Sequence, residues 1–192
     1  MSAVAVPRLS PEEYLGMERD AGVKHEYVEG QMFAMSGGTL AHSQIPLNIA
    51  VALKRQLDGK GCGVSNSDLR IQISPSGPFV YPDLSIYCGE PQLADNQRDC
   101  LLNPTVIFEV LSKSTEAYDR GQKFAHYRRV RSLRDYVLIS QSEPRIDVFS
   151  RLESGPWVLA EFVGLEAICL IPGVACEIPL AEVYRDVALE RA

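Results

Sequence analysis

The spacing of apolar and polar positions changes several times along this chain, and each change marks an element. Ser10-Pro11-Glu12-Glu13 has the form of a capping box with proline at the first helical position, which predicts a short helix from about Pro11 to Arg19. Lys24 to Val28 and Gln31 to Met35 read as the two strands of a hairpin, with Gly30 where a positive φ is wanted. Beyond Ser36-Gly37-Gly38, apolar residues return at helical spacing as Ile45, Ile49, Ala52, Leu53 and Leu57. This predicts an amphipathic helix from about His42 to Leu57 with Pro46 in its first turn.

Strand candidates follow at Gly63 to Asn66, Leu69 to Ser74 and Val80 to Cys88, with Leu69, Ile71 and Ile73 alternating towards a core. Glu90 to Asn103 is polar and broken by Pro91, so it reads as a loop. Pro104 opens a strongly apolar strand, and a helix is expected from about Glu116 to Arg131, with Phe124, Tyr127 and Val130 facing a sheet. Strands are then expected at Asp135 to Ser140, Arg145 to Ser150 and Trp157 to Val163, and a short helix at Pro179 to Asp186.

Composition narrows the class. A chain of 192 residues, 46% hydrophobic and 23% charged, fits one soluble domain over 1–192, with the helix and hairpin of about 10–35 packed on its core. The net charge of -6 confines any affinity for nucleic acid to a local patch, such as Lys113, Arg120, Lys123, Arg128, Arg129, Arg131 and Arg134. Five cysteines without a C-x-x-C pair fit reduced thiols in the cytoplasm and give no zinc pattern. Met1 to Leu9 lacks a hydrophobic signal core, and no apolar stretch reaches the roughly 18 residues that cross a membrane.

Two acids stand where a charge is awkward. Asp83 closes Tyr81-Pro82-Asp83 at the head of a strand, and Glu109 interrupts Val106-Ile107-Phe108-Glu109-Val110-Leu111. A carboxylate inside an apolar strand loses several kcal/mol of hydration unless it is paired, hydrogen-bonded or bound to a cation. The pair therefore points to a divalent metal, and hard oxygen donors select magnesium or manganese. Lys123 lies on the helix after Glu109, with Asp119 one turn earlier to orient it. The plain alternatives are a turn role for Asp83 and a structural ion pair between Glu109 and a helix arginine. His42 either approaches substrate phosphate or caps its helix, Tyr127 touches substrate, belongs to the core or stands behind the residues of the site, and Arg128 is a candidate for the nucleic-acid backbone.

Pro82-Asp83, the run Pro104 to Ser112, Ser114-Thr115 with Asp119, Lys123 and Tyr127, and Arg134-Asp135-Tyr136-Val137-Leu138 together resemble the Uma family of restriction endonucleases, a branch of the PD-(D/E)XK nuclease superfamily. His25-Glu26-Tyr27-Val28-Glu29-Gly30 and His42 extend the resemblance over most of the chain. It implies a mixed α/β fold, a restriction-endonuclease-like core whose central mixed sheet is flanked by helices, and a magnesium-dependent site that cuts DNA, leaving a 5′-phosphate and a 3′-hydroxyl. Asp83 and Glu109 would be the metal ligands, Lys123 the water-orienting cation and Glu26 an accessory acid. One departure stands out: Leu111, not lysine, follows Glu109 by two positions. The lysine role passes to Lys123, with Lys113 in competition only if the strand continues past Ser112. The rival reading is an inactive nuclease-fold protein that binds nucleic acid or a protein, and a homodimer is compatible with both.

Overall fold

The structure, a computed structural model, describes residues 8–189, so most of the Met1 to Leu9 segment read for a signal core lies outside the described residues. Helix α1 (Pro11–Asp20) starts at both halves of the expected capping box, with Glu13 N donating to Ser10 Oγ at 3.2 Å and Ser10 N to Glu13 Oε2 at 2.7 Å. Strands β1 (His25–Val28) and β2 (Gln31–Ala34) form the hairpin, turning through Glu29 at φ 50° and Gly30 at φ 85°. Both turn residues are left-handed, as a two-residue hairpin with right-twisted strands requires.

Two sheets organise the chain. The smaller runs β2-β1-β5-β4-β7, adding β4 (Arg70–Gln72), β5 (Phe79–Val80) and β7 (Cys100–Leu101) to the hairpin. The larger contains β3 (Cys62–Asn66), β6 (Leu84–Cys88), β8 (Pro104–Val110), β9 (Asp135–Ile139), β10 (Arg145–Arg151) and β11 (Trp157–Val163), in the order β11-β10-β9-β8-β6-β3. Only β8 and β9 pair in parallel within it, with Glu109 opposite Leu138. Helix α2 (Leu40–Leu57) covers one face together with β12 (Ile168–Ile171), β13 (Cys176–Pro179) and α5 (Leu180–Val183). The opposite face is covered by one helical segment in three parts: α3 (Glu116–Tyr118), a π turn (Asp119–Lys123) and α4 (Phe124–Tyr127).

The period of β8 decides where its acid goes. Val106, Phe108 and Val110 join the core under α2, whereas Ile107 and, past the strand end, Leu111 join the core under the π-containing helix. Glu109 lies between these last two in the alternation, on that second face. Among the described residues no helix is long and apolar enough to cross a membrane.

Several expectations are corrected. Val80 to Cys88 is two strands in two sheets, because Pro82 has no N–H for a ladder and the chain crosses between sheets at Tyr81-Pro82-Asp83. Pro46 lies in the second turn of α2, since Thr39 caps the helix and Leu40 starts it. The helix from Glu116 ends at Tyr127, where turns carry Val130 and Leu133 into the second core. Glu90 to Asn103 contains β7, and its chain is tied by Leu102 N to Gln92 O at 2.8 Å and by Arg19 to Asp95 at 2.6 Å. The strands β12 and β13 escaped the sequence pattern because Ile168 and Leu170 are apolar yet exposed, which hides the alternation. Cys62 and Cys88 stand opposite each other across β3 and β6 and form a disulfide, against the expectation of reduced thiols; Cys100, Cys169 and Cys176 are free and buried.

A Cβ added at Gly30 would lie 2.6 Å from Arg8 Cβ as well as at positive φ. Gly30→Ala is expected to lower stability by about 2 kcal/mol, most of it from the left-handed conformation. Chemical denaturation of the variant checks this.

Candidate active site

Four carboxylates from four parts of the chain line one cleft of about 700 Å³: Glu26, Asp83, Glu109 and Asp119. The hairpin supplies Glu26 on β1, and its carboxylate accepts from Tyr81 N at 3.2 Å. Asp83 sits where the chain enters β6, and its Oδ2 accepts from Val110 N at 2.7 Å. That bond pins it beside Glu109 at the end of β8. Asp119 and Lys123 bound the π turn, a local widening of the helix that often marks functional sites, and both side chains are buried.

Lys123 is the hub. Its Nζ lies 2.9 Å from Glu109 Oε1, 3.0 Å from Glu26 Oε1 and 3.8 Å from Asp119 Oδ1. Burial alone would favour the neutral amine, but Glu109, Glu26 and Asp119 outweigh it and hold the ammonium well above its ordinary range. Burial pushes the Glu109 carboxyl up, against the pull of Lys123, and the neighbouring charges of Asp119, Asp83 and Glu26 add to the push. Asp83 and Asp119 are raised as well, again first by burial, with Lys123 among the opposing charges. The cleft thus holds more carboxylates than its one ammonium can neutralise.

The expected residues separate cleanly. Asp83, Glu109, Lys123, Glu26 and His42 all line the cleft. Glu26 is not the exposed hairpin acid that its position allowed, being only 9% exposed. His42 does not cap α2, because Thr39 Oγ1 takes that role by accepting from His42 N at 3.1 Å; its Nε2 lies 3.5 Å from Asp83 Oδ2. Tyr127 is fully buried and cannot reach a substrate; its hydroxyl donates to Glu109 Oε1 at 3.0 Å. Arg128 is exposed outside the cleft, with its guanidinium 5.1 Å from the centre of the Phe124 ring. Lys113 is also excluded, since β8 stops at Val110 and the lysine is exposed away from the cluster.

Sequence reasoning missed Gln141 and Tyr118. Gln141 is buried in the cleft wall, accepting from Thr39 Oγ1 at 2.6 Å and donating to Leu111 O at 2.7 Å. It ties the cap of α2 to the end of β8, yet a glutamine after a strand carries no sequence signal. Tyr118 lines the cleft one residue before the π turn, and burial holds its hydroxyl in the protonated form.

The donor set fits a small hard cation. Asp83 Oδ2 and Glu109 Oε1 are used internally, and among the described residues the second oxygen of each accepts no hydrogen bond. Among the described residues no three His, Cys, Asp or Glu side chains form a ready-made cage for an ion. Magnesium needs no such cage, since it keeps several waters and takes one or two carboxylates together with phosphate oxygens.

Mixed sheets flanked by helices, with this acid cluster between them, define a nuclease-like α/β fold. A solved structure described as "a putative nuclease belonging to DUF820", from Anabaena variabilis, shares it with a TM-score of 0.75 over 92% of this chain and 97% of that one, at 16% identity. The chain belongs to the Uma2 family, whose model, described as "Putative restriction endonuclease", matches residues 11–181. It is 37% identical to the uncharacterized protein slr1290 of Synechocystis, over 95% of this chain and 94% of that protein. A second uncharacterized Synechocystis protein, sll1609, is 32% identical over 87% of this chain and 95% of its own length.

A carboxyl raised in the folded state takes its proton before the unfolded chain does. Its contribution to stability is therefore complete below the unfolded value of roughly 4 and is lost as pH rises through the folded one. Glu109→Gln removes one of these groups, the carboxyl 2.9 Å from Lys123 Nζ. In metal-free buffer the stability of this variant relative to wild type is expected to rise between pH 5 and pH 8. Paired denaturation curves at each pH test this, and a gap that does not change with pH would contradict it.

Proposed function

We propose that this protein is a metal-dependent endonuclease that hydrolyses DNA phosphodiester bonds. The observation that carries the proposal is the buried ion pair of Glu109 and Lys123 beside Asp83 in one cleft. Asp83 and Glu109 are the residues that would hold magnesium or manganese. Such an ion, when bound, polarises the scissile phosphate and lowers the pKa of a water.

The chain's own groups supply the rest. Lys123 presents an ammonium that stays charged, available to hold the attacking water or the charge that develops on phosphate. Glu26 and Asp119 fix that ammonium in place, and Tyr127 fixes Glu109 from below. His42 reaches Asp83 from the α2 side, where it can orient the carboxylate or meet a phosphate oxygen. The inactive alternative draws on the same hub, because Lys123 is already saturated by carboxylates. Metal affinity separates the two readings. A cytoplasmic setting and a homodimer belong to the same proposal, the first without the argument from reduced thiols, which the Cys62–Cys88 disulfide removes.

Purified protein incubated with plasmid and single-stranded DNA plus magnesium or manganese is expected to cleave both. Asp83→Ala and Glu109→Ala should abolish cleavage and weaken metal binding by calorimetry. Lys123→Gln should lower the rate by roughly 10²- to 10³-fold, the scale for losing one preorganised charge-stabilising group. Cleavage that survives Asp83→Ala and Glu109→Ala would refute these roles.

A further inference from the structure

Asp83 is a wall shared by two hollows. On its other side lies a groove of about 660 Å³ between α2 and the edge of the larger sheet. Helix α2 runs past both: His42 lines the cleft, while Pro46, Ala50 and Lys54 follow it at intervals of four residues along the groove. A four-residue interval keeps these positions on neighbouring parts of one helix face. The two hollows therefore meet along one helix at the carboxylate proposed to hold the metal.

The charges of the groove are unequally satisfied. Of its three acids, Asp68 pairs with Lys24, Asp99 pairs with Arg19 and Arg70, and Asp83 faces His42 at 3.5 Å and accepts from Val110 N on the cleft side. Its cations, Lys54 and Arg98, are both exposed and, among the described residues, have no carboxylate partner. Leu47 adds an apolar wall that is 59% exposed to water. Unpaired cations beside an apolar surface are the chemistry that takes a phosphate backbone and packs the face of a base or sugar against the wall by apolar contact. The volume falls in the roughly 300 to 1,000 Å³ range of small-molecule pockets, which suits a nucleotide-sized group and not a duplex.

We infer that this groove binds the single DNA strand flanking the cleavage point, with Lys54 and Arg98 on its phosphates and Leu47 against a base. The inference rests on the nuclease reading, so binding and cleavage are tested separately. Fluorescence anisotropy of a labelled single-stranded oligonucleotide, in the full-length Glu109→Gln protein, measures affinity as a function of salt without cutting. Adding Lys54→Gln and Arg98→Gln should weaken binding at least tenfold at low salt and lower the salt slope by about 1.4, from about 0.7 for each phosphate contact on a single strand. Leu47→Glu should weaken binding with melting temperature unchanged. Absent binding, or binding with the same slope in the variants, overturns the groove. Light scattering that shows a dimer broken by Leu47→Glu, with DNA affinity unchanged, would assign the face to a second copy of the chain and also overturn it. Binding that responds to these variants, in a protein whose wild type cuts nothing with either metal, keeps the groove and removes the nuclease assignment.

Discussion

The buried ammonium of Lys123 is the interaction on which the site depends. Glu109 is forced inward by the period of β8, and an isolated carboxylate there would lose several kcal/mol of hydration. Lys123 answers that charge at 2.9 Å, and its own burial then calls for further acids, which Glu26 and Asp119 supply. One electrostatic demand thus joins three separate pieces of chain: the hairpin, the central strand and the covering helix. Because Glu26 belongs to the smaller sheet and Glu109 to the larger, the same ammonium also fixes one sheet against the other.

The crossing at Tyr81-Pro82-Asp83 makes that join possible. Proline ends the ladder of the smaller sheet, Tyr81 N is left free to bind Glu26, and Asp83 reaches Val110 N at the end of β8. Tyr81 also donates its hydroxyl to Glu18 at 2.9 Å, which brings α1 into the same network. A short proline-aspartate segment therefore does two things at once. It hands the chain from sheet to sheet, and it places a second carboxylate next to Glu109.

Much of this was legible from one dimension because it depends on period and desolvation. Glu109 announces itself as a charge within an apolar strand, and Gly30 and the Ser10 capping box mark their turns by chemistry that acts over four residues. The convergence of Glu26 was legible only through family resemblance, since nothing local distinguishes a buried hairpin acid from an exposed one. Gln141 was not legible, because its place follows from how the chain after β9 packs, whereas the burial of Tyr127 was readable from its helical spacing with Phe124 and Val130. The division at Pro82 was readable in principle from the missing N–H, but the apolar residues on either side of it mask the break. Cys62 and Cys88 meet through strand register, which no spacing rule on an isolated pair would reveal.

The absence of lysine two residues after Glu109 has a structural reason. Leu111 lies just past the strand, its N–H bonded to Ile139 O at 2.8 Å and its side chain buried in the core with Phe124 and Tyr136. A lysine there would bring an ammonium into that apolar packing, with the desolvation cost already noted for an unpaired charge. The π turn offers another route to the same carboxylate, because the widened helix turns both Asp119 and Lys123 into the cleft. What the proposed chemistry needs is an ammonium within reach of Glu109, and neither the strand nor the helix is privileged in supplying it. On that proposal the departure at position 111 is a change in where the cation is attached, while an ammonium still stands 2.9 Å from Glu109.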